Sequence, residues 1–589
     1  MTKSLVFGLP SLLFVAVLYT SLDYEFVWTD EGEIVNEGIL MGDRPLVTAL
    51  WRPMHSRLQE AVPGATQPYY RPLQVIAMNA VDRSLGRTPR GFRGFGFAIG
   101  ALTVALFTVL AWVLCRSRGA ALACGAIAAV HPVAIEVYVW IAGFANVLVA
   151  AFAISSLLLA ALAFRETRLG RAYGLAAAST LLLILALLSK ENAVALPAML
   201  LALALHDRVA GSGPHFGRVV AWLLPAQIIV TGVYAALWRP FVLGGALAGS
   251  PPMGESMLTH VLTCMASWPG ALAWLLFPLE SNSSDVVRLA NFGDIRVWAS
   301  ALLVVGSAVS FVVLLRRGQP LAALALAWVW IAFAPSSGIV PLTHARAERY
   351  LHLSLYGAAL IPAALASLPA VSSARRRRVA GVIAILIVGG LAERTLARLP
   401  DWQSNMTLFA RDVARDPLYR EGAYMLARAQ TVEGRAADAK ATLEAMFRQL
   451  PEFEGHASYL REINVAELYC MVNLQVGKPE DSLPLVGSIQ PSSPNPAALA
   501  PLYYCAALSF EALGELRRAA GIQQRLFEVF QPSPDPRYAL ALARCHTELG
   551  ELDPARRWLQ QARPGVSQDP SLAPAFNRAA TRLRDAASD

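Results

Sequence analysis

The sequence predicts an all-α protein, a polytopic membrane bundle of about eleven transmembrane helices followed by a helical-repeat solenoid. Three observations predict it. Of 589 residues, 55% are hydrophobic and only 16% charged, against about 25% charged in soluble domains. Apolar runs long enough to cross roughly 30 Å of hydrocarbon recur as far as residue 396. Beyond residue 400 the charged and small residues rise and a helical period replaces those runs. This pattern excludes a disordered chain and a wholly soluble enzyme.

The apolar spans fall at 4–22, 93–115, 119–138, 141–163, 172–189, 191–206, 217–238, 295–315, 320–336, 349–369 and 378–396. The stretch 259–278 is also apolar but contains Pro269 and Gly270, which predicts a re-entrant or interfacial segment. The first run lacks a small-residue cleavage site and reads as an uncleaved helix rather than a signal peptide. Lys3, Arg116 and Arg118, Arg165 to Arg171, Arg208 and Arg218, Arg316 and Arg317, and Arg375 to Arg378 all fall on one side if these spans alternate. Cationic loops mark the cytoplasm. The net charge of +8 therefore belongs to those loops. The basic, aromatic-interleaved stripe of a nucleic-acid binder is absent.

The opposite side receives residues 23–92, 239–294, 337–348 and everything after about 397. There, glycines recur at Gly434, Gly477, Gly514 and Gly550, with Ala439 and Ala555 five residues after two of them, and Pro451 closing the first unit. This spacing resembles degenerate tetratricopeptide repeats, in which small residues let paired helices approach. The expected domains are 1–398 in the membrane and 399–589 as repeats on the non-cytoplasmic side. The six cysteines include no CxxC pair, so the sequence points to no zinc site or redox motif.

Chemistry-bearing residues cluster on that same side. Asp30, Glu31 and Glu33 follow the first span, where adjacent carboxylates can raise one another's pKa toward that of a general base or simply form a solvated acidic loop. Tyr69-Tyr70-Arg71-Pro72-Leu73 places an arginine beside aromatics, suited to a bidentate phosphate grip or to snorkelling. His131 and Glu136 interrupt an apolar span, which makes them functional candidates. They are five residues apart, a poor spacing for a metal pair. Lys190 and Glu191 lie between two spans, as a solvated turn or an anion-holding cation. Arg346 and Arg349 share a helical face and stand on the cation-poor side, as a phosphate clamp would. The sequence carries no P-loop, GxSxG, HExxH or DxD.

In order, the motifs are an acidic DE, YYRPL, HPVxxEVxxW, LSKENA and AERYL, with repeats behind them. Together they resemble the transmembrane and tetratricopeptide-repeat O-mannosyltransferases and their bacterial relatives, which belong with the GT-C glycosyltransferases. The resemblance covers nearly the whole chain. It implies a GT-C-like membrane bundle that transfers a sugar, mannose in the family's name, from a polyprenyl-phosphate donor to an acceptor hydroxyl. The acceptor is a protein or glycan on the periplasmic side of a bacterial inner membrane. Asp30, with Glu31 beside it, matches the catalytic acidic position. Arg71, His131, Glu136, Lys190, Arg346 and Arg349 fall on substrate-binding positions. The implied partners are membrane lipid, the polyprenyl-phosphate sugar, the acceptor and a protein docked on the repeats. No cofactor beyond the donor and no metal ligand is implied.

The chain departs from the family at Thr29, where relatives carry a second Asp. It departs at Arg93 and Gly96, where they carry His and Asn, and at Gly143-Phe144-Ala145-Asn146, where they read G-R-x-D. The rival reading is a non-enzymatic, membrane-anchored repeat scaffold for envelope assembly. A transferase requires Asp30, Arg71, Arg346 and Arg349 to converge, whereas a scaffold would scatter them.

Overall fold

The computed structural model describes residues 6–36, 39–40, 44–54, 69–244, 252–254, 256–279, 282–283, 286–342, 344–367, 374–448, 453–454, 462–488, 499–530 and 534–588. Lys3 and Pro451 lie outside them. The fold is all-α, and among the described residues the strands are one two-residue antiparallel pair, Val287–Arg288 with Phe453–Glu454. The chain divides into two compact units, one of residues 1–419 with 450–456 and one of 420–449 with 457–589. Residues 399–419 thus belong to the membrane unit. There Trp28 N–H donates to Asn405 Oδ1 at 2.6 Å, and Ser283 donates to Asp412.

Among the described residues of the membrane unit, seven helices are long and apolar enough to cross a bilayer, and eight if the bent pair Arg118–Val130 and Pro132–Val139 counts as one. The expected single helix at 119–138 is therefore broken by 51°. Pro132 supplies no N–H and its ring crowds the preceding turn, which favours a break here. His131 instead caps the following turn, its Nδ1 accepting from Val133 N–H at 3.3 Å. Two further apolar helices, Leu9–Asp23 and Pro320–Ser336, are shorter. The 349–369 stretch is also broken, into a turn at Glu348–Leu351 and helices His352–Ala359 and Ile361–Ala366.

The 259–278 segment is one continuous helix, Met257–Leu276, that carries Pro269 without a break. His260 Nε2 meets the Gly338 carbonyl at 2.7 Å, Trp268 donates to the Ser337 carbonyl at 2.9 Å, and the Leu275 carbonyl meets His131 Nε2 at 3.1 Å. These contacts pack the helix against the His131 break and against the residues that follow the Ala334–Ser336 turn.

Small residues bring the first helix into the bundle. A methyl group on Gly100 would stand 2.6 Å from both the Phe14 and Tyr138 rings, and one on Gly125 would stand 3.0 Å from Pro10. Phe14 and Tyr138 pack edge to face at 4.7 Å.

Among its described residues the second unit has four helix–turn–helix pairs and a last helix, Ala573–Ser588. Gly434, Gly477, Gly514 and Gly550 each follow the first helix of a pair at φ between +73° and +78°, the left-handed region where a side chain is strained. Five residues after each stands a fully buried small residue: Ala439, Ser482, Ala519 and Ala555. Cys470 and Cys505 form a disulfide between helices Glu462–Gln475 and Ala500–Ala512. The sequence reading had not paired them, because the partners lie 35 residues apart with no motif between them.

Gly100→Ala should lower the apparent melting temperature in detergent, because overpacking at a closed contact costs about 1–3 kcal/mol. Ala at exposed Gly119, which has open space around it, is the matched control and should melt like the wild type.

Candidate functional site

A buried ion pair forms the centre of the site. Glu136 lies in the short helix after the His131–Pro132 break, with only 1% of its surface exposed. Its Oε2 accepts from the backbone N–H of Arg349 at 2.9 Å, and its Oε1 accepts from the Arg349 guanidinium. Arg349 Nη2 also meets His344 Nδ1 at 2.9 Å. The same guanidinium stands 5.4, 5.0 and 5.1 Å from the rings of Trp28, Trp140 and Tyr350. Trp28 and Trp140 stack at 4.8 Å, so the arginine is held by one carboxylate and a partial aromatic cage.

Lys190 approaches from the turn between two spans and is 6% exposed. Its Nζ donates to Asn146 Oδ1 at 2.6 Å and lies 5.8 Å from the centre of the Tyr350 ring. Burial pushes its pKa down to about 7; Arg71 and Arg349 push the same way, and Glu191 and Glu136 oppose them. Asn146 presents a neutral amide, so Lys190 has no anionic partner in that direction. Arg71 caps the group by a bidentate pair with Glu191, at 3.0 Å and 2.5 Å, and lies over the Tyr69 ring at 4.6 Å.

Asp30 sits behind the tryptophans and is fully buried. Its carboxylate accepts from the N–H groups of Ala142 at 2.7 Å, Val27 at 3.2 Å and Ile141 at 3.3 Å. Ile141 and Ala142 open the Ile141–Ala163 span, so Asp30 caps that helix from another segment, where the helix dipole favours a negative charge. Burial nevertheless raises its pKa from the usual 3.8 to about 7, against the nearby Arg93 charge and those three N–H groups. Arg93 is itself buried and donates to the carbonyls of Val139, Tyr24 and Glu25. Trp28, between the acidic residue and the ion pair, has φ +57°, a left-handed conformation that is strained for a bulky residue.

The structure thus brings Arg71, Glu136, Lys190 and Arg349 into one cluster and joins Asp30 to it through the Trp28–Trp140 stack. Glu31 opens the turn Glu31–Val35, half-buried. His131 and Arg346 lie beside the Met257–Leu276 helix. His131 meets the Leu275 carbonyl, and Arg346 stands 5.1 Å from the Trp274 ring. Arg346 and Arg349 therefore face different rings. Sequence reasoning missed Trp28, Trp140, His344 and Asn146 as neighbours. Trp140 ends the HPVxxEVxxW motif and Trp28 precedes the acidic pair, and their proximity to those motifs was the available signal. Among the described residues, no three His, Cys, Asp or Glu side chains could share a metal ion.

No protein-family model matches the chain. A stretch of 187 residues, 32% of the chain, is 31% identical to the protein O-mannosyl-transferase Tmtc1 of Drosophila melanogaster. The chain is similar to a glycosyltransferase over that stretch. It spans about a fifth of that relative's length, 21%. Among solved structures, ArnT from Cupriavidus metallidurans bound to undecaprenyl phosphate aligns over 89% of this chain and 81% of its own. The TM-score of 0.37 and identity of 14% carry no argument about this chain's chemistry.

The raised pKa of Asp30 has a direct consequence for stability. Between pH 3.8 and about 7 the folded state binds the Asp30 proton and the unfolded state does not, so this group's contribution falls as pH rises through that window. Asp30→Asn should flatten the loss of stability from pH 4 to pH 7 in detergent-unfolding curves. An unchanged slope would show that Asp30 is ionised in the folded protein throughout.

Proposed function

We propose that this protein is a membrane glycosyltransferase that moves a sugar from a polyprenyl-phosphate donor to an acceptor hydroxyl on the non-cytoplasmic side of the membrane. The observation that carries the reading is the convergence of Lys190, Arg71 and Arg349 around Tyr350, on the same face as a carboxylate with a pKa near 7. A phosphate is a good leaving group once cations hold it. Arg71 and Arg349 are each committed to a carboxylate, so Lys190 is the cation that meets the donor phosphate, with the arginines adding field. Asp30 takes the acceptor proton as the hydroxyl attacks the anomeric carbon, and a general base works best with a pKa near the operating pH. In this structure Asp30 is fully buried, held by the N–H groups of Val27, which precedes Trp28, and of Ile141 and Ala142, which follow Trp140. Substrate therefore reaches it by displacing Trp28, whose strained backbone lowers the cost of that movement.

The direct test is to incubate the purified protein with polyprenyl-phosphate sugars and follow acceptor-dependent loss of donor. The rate should rise with pH as Asp30 ionises and fall as Lys190 loses its charge. Both changes centre near pH 7 and give a narrow bell. Lys190→Arg should keep the acid limb and shift the alkaline limb upward, because a guanidinium stays charged. A bell unchanged by that substitution would remove Lys190 from donor binding.

The Cys470–Cys505 disulfide supports an extracytoplasmic second unit, since disulfides persist in oxidising compartments. Ser567→Cys, at an exposed position, should react with an impermeant thiol reagent on intact cells, whereas Cys470 and Cys505 should react only after reduction and unfolding. Labelling of Ser567→Cys only after the inner membrane is broken would place this unit in the cytoplasm.

A further inference from the structure

The turn that carries Asp30 is strained, and strain of this kind must be held. Asp30 N–H donates to the Val27 carbonyl at 3.0 Å, and Asp30 Oδ2 accepts the Val27 N–H at 3.2 Å. Trp28 is the second residue of this turn and has φ +57°. Turns with a positive φ at that position are normally filled by Gly, Asn or Asp. A bulky residue persists there only where its surroundings over-determine it. Trp140 and Arg349 hold the Trp28 ring from one side.

Residues 403–409 hold the backbone. Trp28 N–H donates to Asn405 Oδ1 at 2.6 Å, and Glu25 N–H donates to the Gln403 carbonyl at 3.0 Å. The Phe409 ring meets the Trp28 ring edge to face at 6.3 Å. This holding segment is locally well defined. Ser404 and Thr407 form a capping box that starts the helix Asn405–Arg415, and Trp402, Leu408 and Phe409 are buried. The cap is complete without Asn405, the first residue of the helix. Its side chain is not needed to start the helix and reaches across to the turn instead.

We propose that Asn405 is a latch on Asp30. While its amide oxygen holds the Trp28 N–H, the Val27–Asp30 turn keeps its strained form and Asp30 stays buried. Release of that bond lets the turn relax and opens Asp30 to an acceptor hydroxyl. Asn405 acts through Trp28 and is therefore a positioning residue. The role in transfer rests on the reading of Asp30 as the base, whereas the latch itself rests only on the contacts of residues 25–30 with 403–409.

The test reads the opening of Asp30 directly. The full chain in neutral detergent is treated at about pH 6, where the raised pKa keeps Asp30 protonated, with an apolar carbodiimide, which adds to protonated carboxyls. The labelling rate at Asp30 is followed by fragment mass spectrometry, with half-buried Glu31 and Glu33 as internal references. Labelling tracks the open population when opening is fast, and loss of one hydrogen bond shifts such an equilibrium by roughly tenfold. Asn405→Leu should therefore label Asp30 about tenfold faster than the wild type. Asn405→Asp keeps an oxygen acceptor and should label at the wild-type rate. Ser283→Ala removes the hydroxyl bond to Asp412 on the same helix without touching Trp28, and it should also label at the wild-type rate. Equal labelling of the wild type and Asn405→Leu would overturn the latch. Acceleration by Ser283→Ala or Asn405→Asp to the level of Asn405→Leu would overturn it too, because general loosening of the helix would then open Asp30. In a transfer assay Asn405→Leu should lower the KM for acceptor and leave that for donor unchanged. Labelling that responds as expected in a protein that transfers no sugar would sink the transferase reading and leave the latch standing.

Discussion

The Glu136–Arg349 pair is the constraint around which this end of the membrane unit is built. Two charges buried among aromatic rings are tolerable only when each satisfies the other, and removing one partner from such a pair typically costs about 3–5 kcal/mol. The pair therefore fixes the short helix after the Pro132 break against the turn at Glu348–Leu351, residues more than two hundred positions apart in sequence. Trp28, Trp140 and Tyr350 take their positions from the same guanidinium. Through Trp140 and the two N–H groups after it, the acidic loop at Asp30 is set as well.

Charge is distributed across this face by pairing. Arg71 has Glu191, Arg349 has Glu136 and Arg398 has Glu348. Lys190 alone among these cations meets a neutral amide, Asn146. A carboxylate at that position would complete the neutralisation and hold the ammonium charged. The amide instead leaves Lys190 buried beside two arginines, which is why its pKa falls toward neutrality. The departures at Arg93 and Asn146 therefore change the electrostatics of the face without removing its cations. Arg93 ties backbone carbonyls together beside Asp30. Asn146 alters how easily Lys190 gives up its proton.

The second unit has a simpler logic. Left-handed glycines end the first helix of each pair, and a buried small residue five positions later lets the second helix pack closely. That rule is written in the sequence at four places. The disulfide adds a covalent tie, and closing a loop of 35 residues contributes about 4 kcal/mol in the chain-entropy picture.

The sequence alone determined the all-helical membrane class and the repeat turns. Both depend on local patterning: apolar length, and glycine where the backbone must turn left. It also marked Arg71, Glu136, Lys190 and Arg349, because ionisable residues near or within apolar spans are expensive wherever they fall. Only the tertiary structure decided how they pair. Arg349 takes Glu136 and leaves Glu348 to Arg398, a choice set by helices that meet in space and invisible to spacing. The same holds for the burial of Asp30 against the Ile141–Ala163 helix, for the packing of Met257–Leu276 against His131 and Gly338 and for the Cys470–Cys505 tie. Each is a contact between distant segments, and its energy depends on burial and geometry that no local pattern encodes.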